Sequence, residues 1–285
     1  MKKCQIKRLL LNKILENSIL NLVGGKMKER VISAIVMILV LVPLFIAGGK
    51  VFGLLVGILS LLGLKELLDS RGKNKKLPSG IELCAMVVML FLVFFESHPN
   101  VTNNSILAMM SLIFLIPTLK NYEGCEYQTK DAFWLMASIL FLGTAFHSVI
   151  NIRNQNIWLL LYLLLVPIIT DTFAYLVGRK IGKRKIVPAI SPNKSLEGFI
   201  GGALFGTVIP TVFYYFMISQ NAVLLTLGVT FLLSVAGQCG DLFFSKIKRE
   251  NKIKDFSNLI PGHGGVLDRF DSLIFVILTY ILFIG

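Results

Sequence analysis

Residues 157–177 read IWLLLYLLLVPIITDTFAYLV, an apolar run with a single charged residue, Asp171. A helix of that length rises about 30 Å, the thickness of a bilayer's hydrocarbon core. Similar apolar blocks flank it at roughly 31–47, 51–68, 81–95, 104–119, 132–150, 198–217, 222–240 and 272–285. The layout predicts an all-α, polytopic integral membrane protein of about nine transmembrane helices. The blocks at 81–95, 104–119 and 272–285 are short for a bilayer, so each is expected to borrow flanking polar residues or to be re-entrant. Composition points the same way. Of 285 residues, 55% are hydrophobic and 16% charged, and mean hydropathy is +0.74. Soluble domains sit near 45–50% apolar and about 25% charged. Most soluble folds are thereby excluded, and so is intrinsic disorder.

The formal charge of +13 combines 29 Lys and Arg with 16 Asp and Glu, and its distribution carries more meaning than its sum. With the N-terminus placed inside, segments 1–30, 69–80, 120–131, 178–197 and 240–271 hold 26 of the bases, whereas the intervening outside loops hold Lys50 and Arg153. That asymmetry follows the positive-inside rule and predicts a cytoplasmic N-terminus and an outside C-terminus. It accounts for the basicity without nucleic acid. Residues 1–30 carry Lys2, Lys3, Lys7, Arg8 and Lys13 among Leu and Ile at helical spacing, which reads as a basic amphipathic interfacial segment. No A-x-A cleavage pattern follows it. The four cysteines, Cys4, Cys84, Cys125 and Cys239, form no CxxC pair and receive no redox or zinc role. The isolated His98 and His147 read as interfacial or packing residues. Gly198, Gly202 and Gly206, spaced four apart, read as a close-packing helix face.

The chain divides into the N-terminal segment 1–30, transmembrane helices over 31–156, and transmembrane helices with a cytoplasmic-face active site over 157–285. Chemistry concentrates in that last part, in three polar clusters at the inner ends of spans. The first is DTFAYLVGR from Asp171 to Arg179. An ionised Asp within a membrane helix costs about 2.5–3.5 kcal/mol on insertion scales, so Asp171 should face a cavity, a cation or a partner. The second is SPNKSLEG from Ser191 to Gly198. Ser195 there can cap the next helix, whose N-terminus with Lys194 suits a phosphate. The third runs from Gly240 to Asp271, where six bases alternate with five acids. A topology signal needs the bases alone. Interleaved carboxylates supply hard oxygen ligands for Mg²⁺ beside cationic ligands for phosphate. On a helix, Asp268 and Asp271 would share a side. The PGHGG stretch at 261–265 lets backbone amides approach a ligand. These clusters indicate phosphoryl or nucleotidyl transfer, although neither a GxxxxGK[ST] loop nor a kinase Gly-rich loop is present.

The segment Ser245-x-Ile-Lys-Arg249, Lys254-Asp-x-Ser257, Ile260-Pro-x-His-Gly-Gly-Val266 and Asp268-Arg-Phe-Asp271 resembles, over all 27 positions, the signature of the phosphatidate cytidylyltransferase (CDP-diglyceride synthetase) family. DTFAYLVGRKIGK and SPNKSLEG resemble that family in the same order, so the likeness covers residues 160–285. It implies the reaction of CTP with phosphatidate to give CDP-diacylglycerol and pyrophosphate, in a multi-pass protein of the cell membrane, in contact with membrane lipid and as a homodimer. The cofactor it implies is Mg²⁺, with a second cation left open.

On this reading Asp241 and Asp268 lead as metal ligands, with Asp171 and Asp271 as further ligands or as orienters of bases. Lys248, Arg249, Arg269 and Lys194 neutralise phosphates. His263, Gly264 and Gly265 shape the nucleotide or pyrophosphate pocket. Ser191, Ser195 and Ser245 donate hydrogen bonds to phosphate oxygens. The competing readings are a related CTP-dependent lipid transferase or polyprenol kinase, and a transporter. The continuous signature argues against the kinase, and the concentration of ionisable groups at one face argues against the transporter.

Overall fold

The computed structural model describes residues 32–71, 77–95, 103–119 and 127–283. The amphipathic reading of residues 1–30 lies outside them, as do Cys4, Cys125 and His98. Among the described residues there are nine α-helices and no strand. They are α1 (Ile32–Ala47), α2 (Gly49–Asp69), α3 (Ser79–Phe94), α4 (Asn103–Leu115), α5 (Thr129–Gln155), α6 (Ile157–Ile181), α7 (Leu196–Met217), α8 (Val223–Glu250) and α9 (Leu267–Ile281). Each apolar block of the sequence forms one of them. Helices α2, α5, α6, α7 and α8 are long and apolar enough to cross a membrane. The chain is thus an all-helical membrane protein.

Local chemistry sets the helix boundaries. Asn156 ends α5 and accepts the Trp158 amide at 2.9 Å, capping α6. Gln128 and Asp131 form a reciprocal capping box on α5. Helix α8 runs ten residues past the apolar block that predicts it. Beyond Gly240 the sequence turns polar, yet Phe244, Ile247 and Lys248 recur at helical spacing and are buried. Helix α9 begins at Leu267, so the region expected as one long loop, 240–271, is a helix end, a loop over 251–266 and a helix start.

The tightest helix pair is α6 with α7. A Cβ at Gly202 would fall 2.7 Å from the Thr170 carbonyl oxygen, and one at Gly198 2.6 Å from that of Ala174. The small-residue face therefore packs within this chain. Hydroxyl pairs stitch the same helices to α8. Thr170 bonds Ser234 at 2.7 Å, Tyr162 bonds Thr230 at 2.6 Å, and Thr211 donates to Thr230 at 3.0 Å. Between apolar helices such bonds satisfy groups that lipid could not. His147 plays the packing role expected of it, lying 3.0 Å from the carbonyl oxygen of Val93 at the end of α3.

The two ends of the bundle differ in charge. Among the described residues, Lys50 and Arg153 are the bases at one end. Arg153 donates to the carbonyls of Phe45 (2.7 Å) and Ile46 (2.8 Å), a favourable cation at the C-terminus of α1. The remaining bases of the described residues lie toward the opposite end, where Arg71 at the close of α2 pairs with Asp131 at the start of α5.

Gly202→Leu should destabilise the folded protein by about 1–3 kcal/mol or more through overpacking against α6. Gly228→Ala, inside α8 with open space around it, should keep stability or raise it by about 0.5–1 kcal/mol. Thermal unfolding in detergent compares the two.

Candidate active site

Three elements converge at the charged end. The last turns of α6 present Asp171, Tyr175 and Arg179. The segment 182–195 returns from α6 to α7 as a tight turn, with the Leu196 amide bonded to the Arg184 carbonyl at 2.8 Å. The Glu197 carboxylate fastens it further by accepting the Lys183 amide at 2.9 Å. Ser195 caps α7, its hydroxyl accepting the Gly198 amide at 3.2 Å, as its type and position predict. Helix α8 brings Gln238 and Asp241. Together these elements enclose a cavity of about 560 Å³ whose polar lining includes Asp171, Arg179, Ser191, Lys194, Ser195 and Asp241. Lys194 and Asp241 form an ion pair across it. Asp171 and Asp271 stand close enough to Asp241 for their charges to interact.

The loop 251–266 and the start of α9 form a second layer. Asp268 is 4% exposed in its side chain and has both oxygens engaged. Oδ1 accepts Lys248 at 2.8 Å, and Oδ2 accepts the amides of Phe256 and Gly265, each at 2.9 Å. Arg269 donates to the His263 carbonyl at 2.9 Å, while His263 Nδ1 lies 2.8 Å from the Ser33 hydroxyl on α1. Gly262 and Gly264 take φ of +74° and +87°, conformations that make the turn there favour glycine. The two layers meet at the end of α8, where Arg249 approaches the Ile190 carbonyl at 3.4 Å and donates to the Ile253 carbonyl at 3.2 Å. Lys248 bridges them electrostatically, bonded to Asp268 and acting on Asp271.

The family model described as the cytidylyltransferase family matches residues 28–285. The chain belongs to the cytidylyltransferase family. A phosphatidate cytidylyltransferase of Staphylococcus aureus (strain COL) is 37% identical over 252 residues, covering 88% of this chain and 96% of that protein. Proteins of the same name from Staphylococcus haemolyticus and Staphylococcus saprophyticus are 35% and 36% identical over the same shares of each chain.

In this cytidylyltransferase the structure regroups the residues singled out in the sequence. Asp171, Ser191, Lys194, Ser195 and Asp241 line the cavity. Ser245, Lys248, Arg249, His263, Gly264, Gly265, Asp268, Arg269 and Asp271 lie behind or beside that lining. Asp268, expected beside Asp241 as a leading metal ligand, here has both oxygens on protein N–H donors. Asp268 and Asp271, three apart on α9, both interact with Lys248, in keeping with a shared helix side. Arg249 and Arg269 hold backbone carbonyls, which makes them loop fasteners in this arrangement. Three residues at the site were not singled out in the sequence. Lys185 was hidden among topology-setting bases. Gln238 and Glu66 were hidden inside apolar blocks, Gln238 as a lone amide and Glu66 beside Lys65.

Asp268→Asn should leave Lys248, 11% exposed in its side chain, without its carboxylate. Breaking a buried pair costs about 3–5 kcal/mol. Limited proteolysis should then cut within 251–266 well before it does in the unmodified protein.

Proposed function

We propose that this protein transfers the cytidylyl group of CTP to phosphatidate, releasing CDP-diacylglycerol and pyrophosphate at the charged end of the bundle. The observation that carries this reading is the single cavity into which α6, the 182–195 segment and α8 project carboxylates and bases together. The name shared by the staphylococcal relatives supplies the substrates.

The chemistry fits such a cavity. A phosphate oxygen of phosphatidate attacks the α-phosphorus of CTP, the bond from that phosphorus to the β-bridging oxygen breaks, and pyrophosphate leaves. The attacking phosphate, with a second pKa of about 6, is largely ionised at neutral pH. No protein nucleophile is required. The obstacle is repulsion between two anions, since like unit charges 4 Å apart repel by about 4 kcal/mol at an effective dielectric near 20. Lys194, Arg179 and Lys185 border the cavity and are placed to lower that repulsion. Ser191 and Ser195 carry hydroxyl protons for phosphate oxygens. When CTP displaces Asp241 from Lys194, the ammonium is free for the phosphates and the carboxylate for a cation.

The carboxylates suit Mg²⁺ in its usual protein setting. Among the described residues no three metal-binding side chains form a ready-made cage. Mg²⁺ ordinarily takes one or two carboxylates and completes its shell with water and substrate phosphates. Asp241 would hold it, with Asp171 and Asp271 alongside and Asp268 joining them once Lys248 turns from it to a phosphate. Bound there, it would stabilise the negative charge that develops on the transferring group.

The positive-inside asymmetry supports a cytoplasmic location for this end, where CTP is present. It also supports an odd number of crossings, which is nine if the four shorter helices are extended by flanking residues, and the placement of the site in the 157–285 portion. Association as a homodimer rests on the family resemblance.

Labelled CTP with phosphatidate and Mg²⁺ should yield a labelled liponucleotide, and EDTA should abolish it. A singly phosphorylated lipid product would instead indicate a kinase. Asp241→Asn should lower turnover by about 10²-fold or more, as for loss of a preorganised electrostatic group, with the protein still folded and inserted. Retained activity would remove Asp241 from its role. Cysteine-accessibility labelling in sealed vesicles should find 182–195 and 251–266 on the same, cytoplasmic, side.

A further inference from the structure

Glu66 lies near the end of α2, in the half of the chain that carries none of the three polar clusters, and is 6% exposed. Among the described residues it has no cationic partner within ion-pair distance. Its carboxylate is satisfied entirely from the far side of the sequence. Oε1 accepts the Ser257 hydroxyl at 2.6 Å and the Val266 amide at 2.9 Å, and Oε2 accepts the Leu267 amide at 2.8 Å. The last two are free donors at the start of α9, where a carboxylate is favoured both as acceptor and by the helix dipole. Gly265 packs directly on it, for a Cβ there would fall 2.5 Å from Oε1.

We infer that Glu66 is a positioning residue for the cytidylyl-transfer site: it pins the loop 251–266 and the first turn of α9 to α2. This rests on the function proposed above. Asp268 clamps the same turn from within, through the Phe256 and Gly265 amides. The two carboxylates hold it from opposite sides. One turn further along α9 stands Asp271, whose charge acts on Asp241. Glu66 touches no substrate in this arrangement. Its effect travels through Val266 and Leu267 into the direction of α9, and so into where the Asp271 backbone packs on Gly240 of α8, next to Asp241. The same contact explains two signature positions at once. Ser257 must donate, and Gly265 must lack a side chain.

The test is Glu66→Gln, Glu66→Ala, Gly265→Ala and the double variant Glu66→Ala/Gly265→Ala in the full-length purified protein. Glutamine keeps the volume but offers an amide nitrogen where one donor needs an acceptor. Loss of an outer hydrogen-bonding partner of a functional group lowers activity about 10- to 100-fold. Glu66→Gln should reduce kcat by that factor, with KM for CTP and for phosphatidate little changed and the purified protein monodisperse. Gly265→Ala should do the same. The double variant should be no worse than Glu66→Ala, because the added methyl then meets no carboxylate, a non-additivity expected only of residues in contact. Amide hydrogen exchange over 256–268 should speed up in Glu66→Gln. A kcat within twofold of the unmodified protein, or costs that simply multiply in the double variant, would overturn the assignment. If the unmodified protein makes no liponucleotide, the functional proposal fails. The exchange comparison then decides the clamp alone, and unchanged exchange sinks it.

Discussion

A charge held at the end of an apolar helix bundle must be matched by something the chain itself provides, and this requirement organises the structure. Removing an ion from water costs several kcal/mol even after relaxation, and partners must return it. Three carboxylates at the charged end are each matched differently. Asp241 faces the ammonium of Lys194 across a cavity. Asp268 holds Lys248 and two amides. Glu66 holds two amides and a hydroxyl. The first match is open to exchange with a polyanion and a cation. The other two are enclosed and fix the framework around the first.

The division of labour between helices follows. Glycines let α6 and α7 approach until the backbone of one meets the Cα atoms of the other, which sets Asp171 and Ser195 beside one cavity. Helix α8 then reaches past the apolar region to bring Asp241, Ser245 and Lys248 along one helix side, at i, i+4 and i+7. The loop after it folds back as the outer wall, and α2 anchors that wall from behind. The N-terminal half, which carries none of the three polar clusters, thereby takes part in the architecture of a site whose chemistry lies almost wholly in the C-terminal half.

Much of this was legible in the residues. Apolar length announced every helix, and charge asymmetry announced that the polar clusters share one end. Ser195 was readable as a cap because its type and its place before an apolar run leave few other uses. The end of α8 was not readable from hydropathy, because the helix continues as an amphipathic one after its lipid-like composition stops. The protein partners of Asp268 were not readable either. A carboxylate among glycines and bases looks the same on paper whether it awaits a cation or accepts amides from a loop folded onto it. Glu66 was the hardest to see, since its partners lie about 190 to 200 residues away, and a single acid near the end of an apolar block resembles an ordinary interface residue.

The turn between α6 and α7 has a kinetic corollary. Glu197 directs its carboxylate to main-chain amides of Lys183 and Arg184, and among the described residues no base from Arg179 to Lys185 forms an ion pair. Their field at the mouth of the cavity is left to attract diffusing polyanions from a distance. Such steering weakens as ionic strength rises and the Debye length contracts toward a few ångströms. The encounter rate with nucleotide should thus respond to salt far more than the interactions inside the enclosed layer, which mobile ions do not reach.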